Sequence, residues 1–274
     1  MLSSLRKRRG DHNDHRIPIQ WTCISKVELC GTRGGHPNTW HKRGAYLNGR
    51  ALDPKNIEAM VGLATVDAVV GGAHFADERA AHLAAAEATV VKALSFSPNH
   101  AFAHSVLGAV LNMTNRAAQG IAECERALAL DRNLAAAHWE IGVAKYYVGR
   151  AAETETHINE GLRLSPRDML AYHWLMFLGL AKLQLTADAE AVSWLLRSIE
   201  DNRNYPMAHF GLAAALALLG STDEARSAAG AGLALDPSFT IRRFRDGVSS
   251  DNPTYLAERE RIYQGMRMAR VPEG

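Results

Sequence analysis

The chain repeats itself. ALDP at 51–54 returns as ALSFSP at 93–98, ALALDR at 127–132, GLRLSP at 161–166 and LALDP at 233–237. Measured at the proline position, the series runs Pro54, Pro98, Arg132, Pro166, Arg203 and Pro237, with steps of 44, 34, 34, 37 and 34 residues. A unit of 34 residues has room for two short helices and their turns, and it cannot bury its apolar face alone. Each unit must stack on its neighbours, so the repeat predicts an open stack rather than a globule closed around one centre. Such a stack is built to hold a partner more than to run a reaction.

The phase holds at the level of side chains. Counting from each proline position, the tenth residue is small in four units of five: Ala64, Gly108, Gly142 and Ala213. The residue before it is apolar every time: Leu63, Leu107, Ile141, Leu175 and Leu212. The second half of the unit carries small or apolar residues at matched points, such as Ala86, Val90 and Ala93, Ile158 and Gly161, or Ala225, Ala229 and Gly232. Small residues let two helices approach closely, and the proline ends the second helix. These positions resemble the tetratricopeptide signature over about residues 45–237, with His104, His138 and His209 where that family carries Trp. The resemblance implies an all-α, right-handed solenoid of about five helix pairs over 41–237, entered through a half-repeat at 41–54. Ten extra residues around GGAHFADERA (71–80) and three around LQLTAD (183–188) are expected in inter-helix loops, as edges of a binding site or as tolerated loop drift.

Composition narrows the function classes. Hydrophobic residues make up 47% of the chain and proline is sparse, which favours helices throughout. No apolar run reaches the roughly 18 residues of a membrane span, and no signal-peptide core follows the N-terminus, so a cytoplasmic chain without a membrane partner is expected. The net charge of +2 is unevenly placed: residues 1–45 hold nine Lys or Arg against three acids, and the remainder holds 22 against 26. No basic stripe runs along the repeats, and no nucleic-acid partner is expected. Three cysteines without an export signal read as reduced thiols, with Cys124 a small core residue.

Residues 1–40 follow neither a helical nor a strand period and read as an irregular basic arm. The repeat starts partway through a unit, so the arm looks like foreign sequence joined to a truncated repeat domain, as a wrongly assigned start or a frameshift would produce. Cys23, Cys30, His36 and His41 have the ligand types for zinc, but the first spacing is longer than paired cysteines use, and no metal site is expected. The RKRR cluster at 6–9 reads as solvated charge.

No phosphate loop, HExxH, GxSxG or paired-Asp motif is present, so neither catalysis nor a cofactor is expected. The recurrent His104, His138 and His209 lie one unit apart, too far to share a metal, and are assigned to the seam between the two helices of each unit. The first helices should line a concave face. Its positions read Phe102, Ser105, Asn112, Trp139, Val143, Tyr146, His173, Phe177, Met207 and Phe210, an aromatic and almost uncharged set. A basic clamp for a terminal carboxylate is poorly supplied, by Asn112 and Lys145 alone. The face suits an apolar helix or extended segment of a protein partner, or else packing against the next unit or a C-terminal helix of the same chain.

After Pro237 the pattern changes. TYLAERERIYQGMRMARV (254–271), started by Asp251 or Asn252 ahead of Pro253, reads as an amphipathic helix capping the last unit within a terminal segment 238–274. FGLAAALALLGSTDEAR (210–226), LDPSFTIRRFR (235–245) and NPTYLAERERIYQGMRMARVPEG (252–274) are similar to the end of the repeat region in bacterial class III adenylate cyclases. That resemblance implies, as an alternative, the detached regulatory end of an adenylate or guanylate cyclase, since nothing in the chain matches the catalytic domain.

Overall fold

The structure, a computed structural model, describes residues 46–49, 53–72 and 78–274, in which helices and turns alone occur. Ten helices pair in chain order: α1 (Ile57–Gly72) with α2 (Arg79–Phe96), α3 (Ala101–Met113) with α4 (Ala117–Leu130), α5 (Ala135–Tyr147) with α6 (Thr154–Leu164), α7 (Ala171–Gln184) with α8 (Asp188–Asp201), and α9 (Pro206–Leu218) with α10 (Thr222–Leu235). A 3-10 turn at Ala151–Glu153 leads into α6. Each second helix packs on the first helix of the next unit, and successive first helices touch along the inner side. This is an α-solenoid of five helix pairs among the described residues.

The pairing depends on exchanged size. A Cβ added to Gly108 would lie 2.3 Å from Cys124 Sγ, one on Gly142 2.7 Å from Ile158, and one on Gly179 2.4 Å from Leu195. The first helix thus offers no side chain where the second helix delivers a large one. A second contact reverses the exchange: Trp139 lies over Gly161 and Phe210 over Gly232, with would-be Cβ distances of 2.1 and 2.8 Å. Both contacts recur in register, so the two helices of each unit lock at two points.

The turns repeat as well. Every first helix from α3 onward ends in a residue with positive φ: Asn115 (59°), Gly149 (72°), Thr186 (59°) and Gly220 (86°). The next N–H then reaches back five residues, as in Arg116 to Leu111 O and Arg150 to Lys145 O, both 2.9 Å, which satisfies a helix-end carbonyl. Thr186 is β-branched and strained in that conformation. After the second helix, the acid or amide of the repeated motif closes the turn. Asp53, Asp131, Asn202 and Asp236 each accept from the N–H two residues on, at 2.9 to 3.1 Å.

Two expected insertions fall elsewhere. Against unit two, the ten extra residues of unit one divide among α1, its following turn and α2, since α1 has 16 residues and α2 has 18 where α3 has 13 and α4 has 14. In unit four the turn 185–187 has ordinary length; the extra residues lie ahead of α7 in the turn 165–170 and within α7 itself. The shift explains why the small position falls on Gly179 instead of Met176, and why Leu175, not His173, occupies the place of His138. Residues 46–49 are helical, and the Tyr46 ring fills the space beside Gly62, 2.3 Å from a would-be Cβ. The basic arm, Cys23, Cys30, His36, His41 and the loop 73–77 lie outside the described residues.

Beyond unit five, α11 (Ile241–Asp246) leads to α12 (Pro253–Met268). The Asn252 side chain accepts from Tyr255 N at 3.1 Å, and Pro253 takes the first turn, where its missing N–H costs nothing. The terminal helix does cover unit five, but along the inner side. It packs on α9 and α7, and Tyr255 reaches Tyr146 and Tyr147 of α5. Leu256, expected to be covered, is 40% exposed, while Tyr255, Ile262, Tyr263 and Met266 are buried.

Gly161→Ala should lower stability by about 1–3 kcal/mol, because the Trp139 indole it meets is fixed by its own stacking. Gly230→Ala, with nothing within 4 Å of its Cβ, should instead raise stability by up to about 1 kcal/mol through helix propensity. Paired denaturant titrations check the opposite signs.

Candidate partner-binding groove

The inner face of units three to five is filled by α12. Tyr255 stands edge-on to Tyr146 and Tyr147 at 5.2 and 5.6 Å between ring centroids, and Tyr146 and Tyr147 stand edge-on to Phe177 at 5.6 and 6.0 Å. Behind Tyr255, the guanidinium of Arg259 is 3% exposed. It lies 4.1 Å from the Phe244 ring centroid and 5.4 Å from that of Tyr263, bonds Phe244 O at 2.8 Å, and donates to the Tyr255 hydroxyl. The cation is thus housed among ring faces and oxygens. Burial pushes the hydroxyls of Tyr146, Tyr147 and Tyr255 upward in pKa, so they stay neutral beside it.

Polar contacts fix the position of the helix. Arg261 grips Asp188 with two bonds of 2.5 Å and reaches Leu183 O at 3.3 Å. The segment before α12 is tied to earlier units: Ser249 Oγ accepts from Arg79, Ser250 Oγ donates to Tyr147 O at 2.7 Å, and Asp251 N donates to Asn115 Oδ1 at 2.9 Å. At the far end Gly265 faces Ala214, whose carbonyl would lie 2.6 Å from an added Cβ. The chain leaves by pairing Pro272 O and Glu273 O with the N–H groups of Ile241 and Arg242 at 2.9 and 3.0 Å.

The residues expected on the groove divide into three groups. Tyr146 and Phe177 meet the cluster under α12. Trp139 and Phe210 lie instead in the seams within units three and five: Trp139 stacks on Trp174 at 4.7 Å and Phe210 on Phe239 at 3.7 Å. Their repeat position faces the partner helix of the same unit, which the seven-residue spacing of Trp139 and Tyr146 did not reveal. Ser105, at the same position in unit two, is buried with its hydroxyl on Phe102 O at 2.8 Å. Val143 and Met207 are buried, while Phe102 and His173 are half-buried. His173 stands edge-on to Trp174 and Phe177, both at 5.1 Å, and burial lowers its pKa to about 4, so it is neutral at pH 7.

Asn112 joins units two and three. It is fully buried, and its Nδ2 donates to Glu140 O at 2.9 Å and Glu140 Oε2 at 3.0 Å. One repeat on, Tyr146 and Phe177 hold the same two positions, so an amide–carboxyl contact at one junction becomes an aromatic contact at the next. Burial raises the Glu140 carboxyl to about 7, against the opposing pull of the Asn112 bond.

The recurrent histidines sit at seams or turns. His104 bridges α3 and α4 through Nδ1 to Glu123 at 2.7 Å and reaches Pro98 O at 2.8 Å; His209 makes the matching bond to Arg203 O at 3.0 Å. His138 lies 6.1 Å from His157 of α6, ring to ring. Among the described residues no group of three or more His, Cys, Asp or Glu could hold a metal ion, and no helix is long and apolar enough to cross a membrane. Cys124 is buried, and burial raises its thiol pKa well above the usual range. Tyr147 and Ala214, which receive Tyr255 and Gly265, were missed in the sequence. The lone glycine inside α12 was the available signal for a close helix approach.

No family model and no curated protein matches the chain. Solved structures do match. A chain of the APC/C hetero-tetramer Cut9–Hcn1 superposes with a TM-score of 0.65 at 15% identity, over 77% of this chain and 40% of that one. PilF of Pseudomonas aeruginosa gives 0.55 at 20% identity, over 85% and 96%. PilW, a type IV pilus biogenesis factor, gives 0.53 at 16% identity, over 73% and 90%. At these identities the likeness establishes the fold: a tetratricopeptide-type α-solenoid.

The raised Glu140 carboxyl sets a pH dependence. The folded chain holds a proton between about pH 4.5 and 7 that the unfolded chain has released, so this contribution is full below 4.5 and lost as pH rises through 7. Glu140→Gln should raise stability at pH 8 by about 1–3 kcal/mol and flatten the pH profile, since the new amide can also donate to Asn112 Oδ1, which has no partner. Melting curves from pH 4 to 8 test this.

Proposed function

We propose that the chain is a cytoplasmic, non-catalytic scaffold that binds a protein or peptide partner on its concave face. The observation that carries this reading is the way the face receives α12. Rows of side chains from successive first helices take up one amphipathic helix through aromatic pockets, a buried guanidinium and a bidentate ion pair. That is the chemistry of helix-in-groove recognition, performed within one chain. Phe102 and His173, half-buried on the first helices of units two and four, extend the same apolar character beyond the part α12 fills. Trp139 and Phe210 are omitted from the contact set, because they stabilise units three and five internally.

A second reading, the regulatory end of a class III nucleotide cyclase, draws on one observation. The segments 210–226, 235–245 and 252–274 that carry the resemblance occupy α9 to α12, and α12 packs directly on α9 and α11. Elements that resemble a family together also assemble together. Under either reading the catalytic work lies outside this chain.

Two measurements test the scaffold. The purified chain should convert neither ATP nor GTP to a cyclic nucleotide with Mg²⁺ or Mn²⁺; turnover that follows the protein through purification would end the non-catalytic reading. Hydrogen exchange on a complex with a captured partner should show protection on α3, α5 and α7. Protection confined to α2, α4 and α8 would place the binding surface on the opposite side.

A further inference from the structure

The contact between α12 and the solenoid is apolar and extensive, yet it leaves polar atoms buried without partners. Gln184, the residue after the Leu183 carbonyl that Arg261 bonds, is 5% exposed, and neither its Oε1 nor its Nε2 has a partner. On α12 the same holds for Glu258 Oε2 and Arg259 Nε. A buried polar atom without a partner destabilises the state that buries it, and native cores keep few of them. Four of them at or beside one helix contact oppose its apolar gain. The Glu258 carboxyl pKa, raised by burial alone, reflects the same mismatch.

We propose that α12 is a resident ligand of the groove that opens as a unit, and that the partner is an amphipathic helix of the same chemistry that takes its place. This deepens the scaffold reading and rests on it. The replacing helix would carry an aromatic residue where Tyr255 stands, a guanidinium four residues on, and apolar residues at the places of Ile262, Tyr263 and Met266. It would gain over α12 by offering a donor or acceptor to Gln184. The bond of Arg261 to Asp188 and those of Ser249 and Ser250 hold the resident helix in place until then.

The test uses the full chain and a fluorescein-labelled synthetic peptide of residues 249–272. In the wild type, the amides of α12 should exchange at least tenfold faster than those of α9, on which it packs. The labelled peptide should bind weakly to the wild type and at least tenfold more tightly to Arg261→Ala, which loosens only the resident copy. Tyr255→Ala in the chain should act the same way, provided its circular dichroism matches the wild type; if it fails to fold, Arg261→Ala decides. Equal exchange in α12 and α9, or a folded Arg261→Ala chain that binds the peptide no better than wild type, overturns the proposal. Should that happen while a captured partner still protects α3, α5 and α7, displacement fails and the scaffold stands. If peptide exchange succeeds but the partner protects only the second helices, the scaffold reading fails instead.

Discussion

The structure depends on how closely the two helices of each unit approach. Gly108, Gly142 and Gly179 leave room on the first helix for Cys124, Ile158 and Leu195, and Gly161 and Gly232 return the room to Trp139 and Phe210. With no slack at either point, each pair behaves as a rigid block whose remaining faces are committed to neighbours. One face meets the next unit, and another lines the inside of the stack. Stacking then follows from the need to bury the first of these, as in any array whose repeats cannot stand alone.

Rigid blocks make the inner face regular, and regularity is what lets one straight helix lie across several units. Residues of α5, α7 and α9 meet α12 in succession: Tyr147 near its start, Leu183 and Asp188 about the middle, Ala214 near its end. Side chains are large at the first contact and small at the last, where Gly265 allows nearly backbone-to-backbone approach. The terminal segment thereby links units that share few direct contacts, since Ser249 to Asp251 reach residues of units one to three while the tail pairs with α11. Loss of α12 would therefore damage more than the unit at the chain's end.

The junctions between units are not equivalent. Asn112 and Glu140 make a polar contact with a carboxyl titrating near neutrality, and the next junction puts Tyr146 against Phe177. His82 with Asp67, His100 with Glu58 and His104 with Glu123 bridge helices of the first two units. The later units rely on Lys and Arg pairs that keep their charge, such as Lys182 with Glu155 and Glu190, and on the aromatic cluster under α12. The N-terminal half of the described solenoid is thus the half whose cohesion responds to pH.

The sequence alone determined the helix-pair architecture, because it is written in local terms: a 34-residue step, small residues in phase, and a turn motif closed within two residues by its own Asp or Asn. It also placed an amphipathic helix at 254–271, since capping by Asn252 and Pro253 is local too. Insertions were misplaced because a length change shows where the phase breaks only to within one helix. The site was legible only in part. Tyr146 and Phe177 were identified as inner-face residues, but Trp139 and Phe210 belonged to the seams, a distinction of less than one helical turn that spacing does not resolve. That α12 turns back into the groove, instead of sitting on the end of the stack, was decided by tertiary structure. The reason is physical: an amphipathic helix records only that one face is buried, and which surface buries it depends on the shape that five stacked units create together.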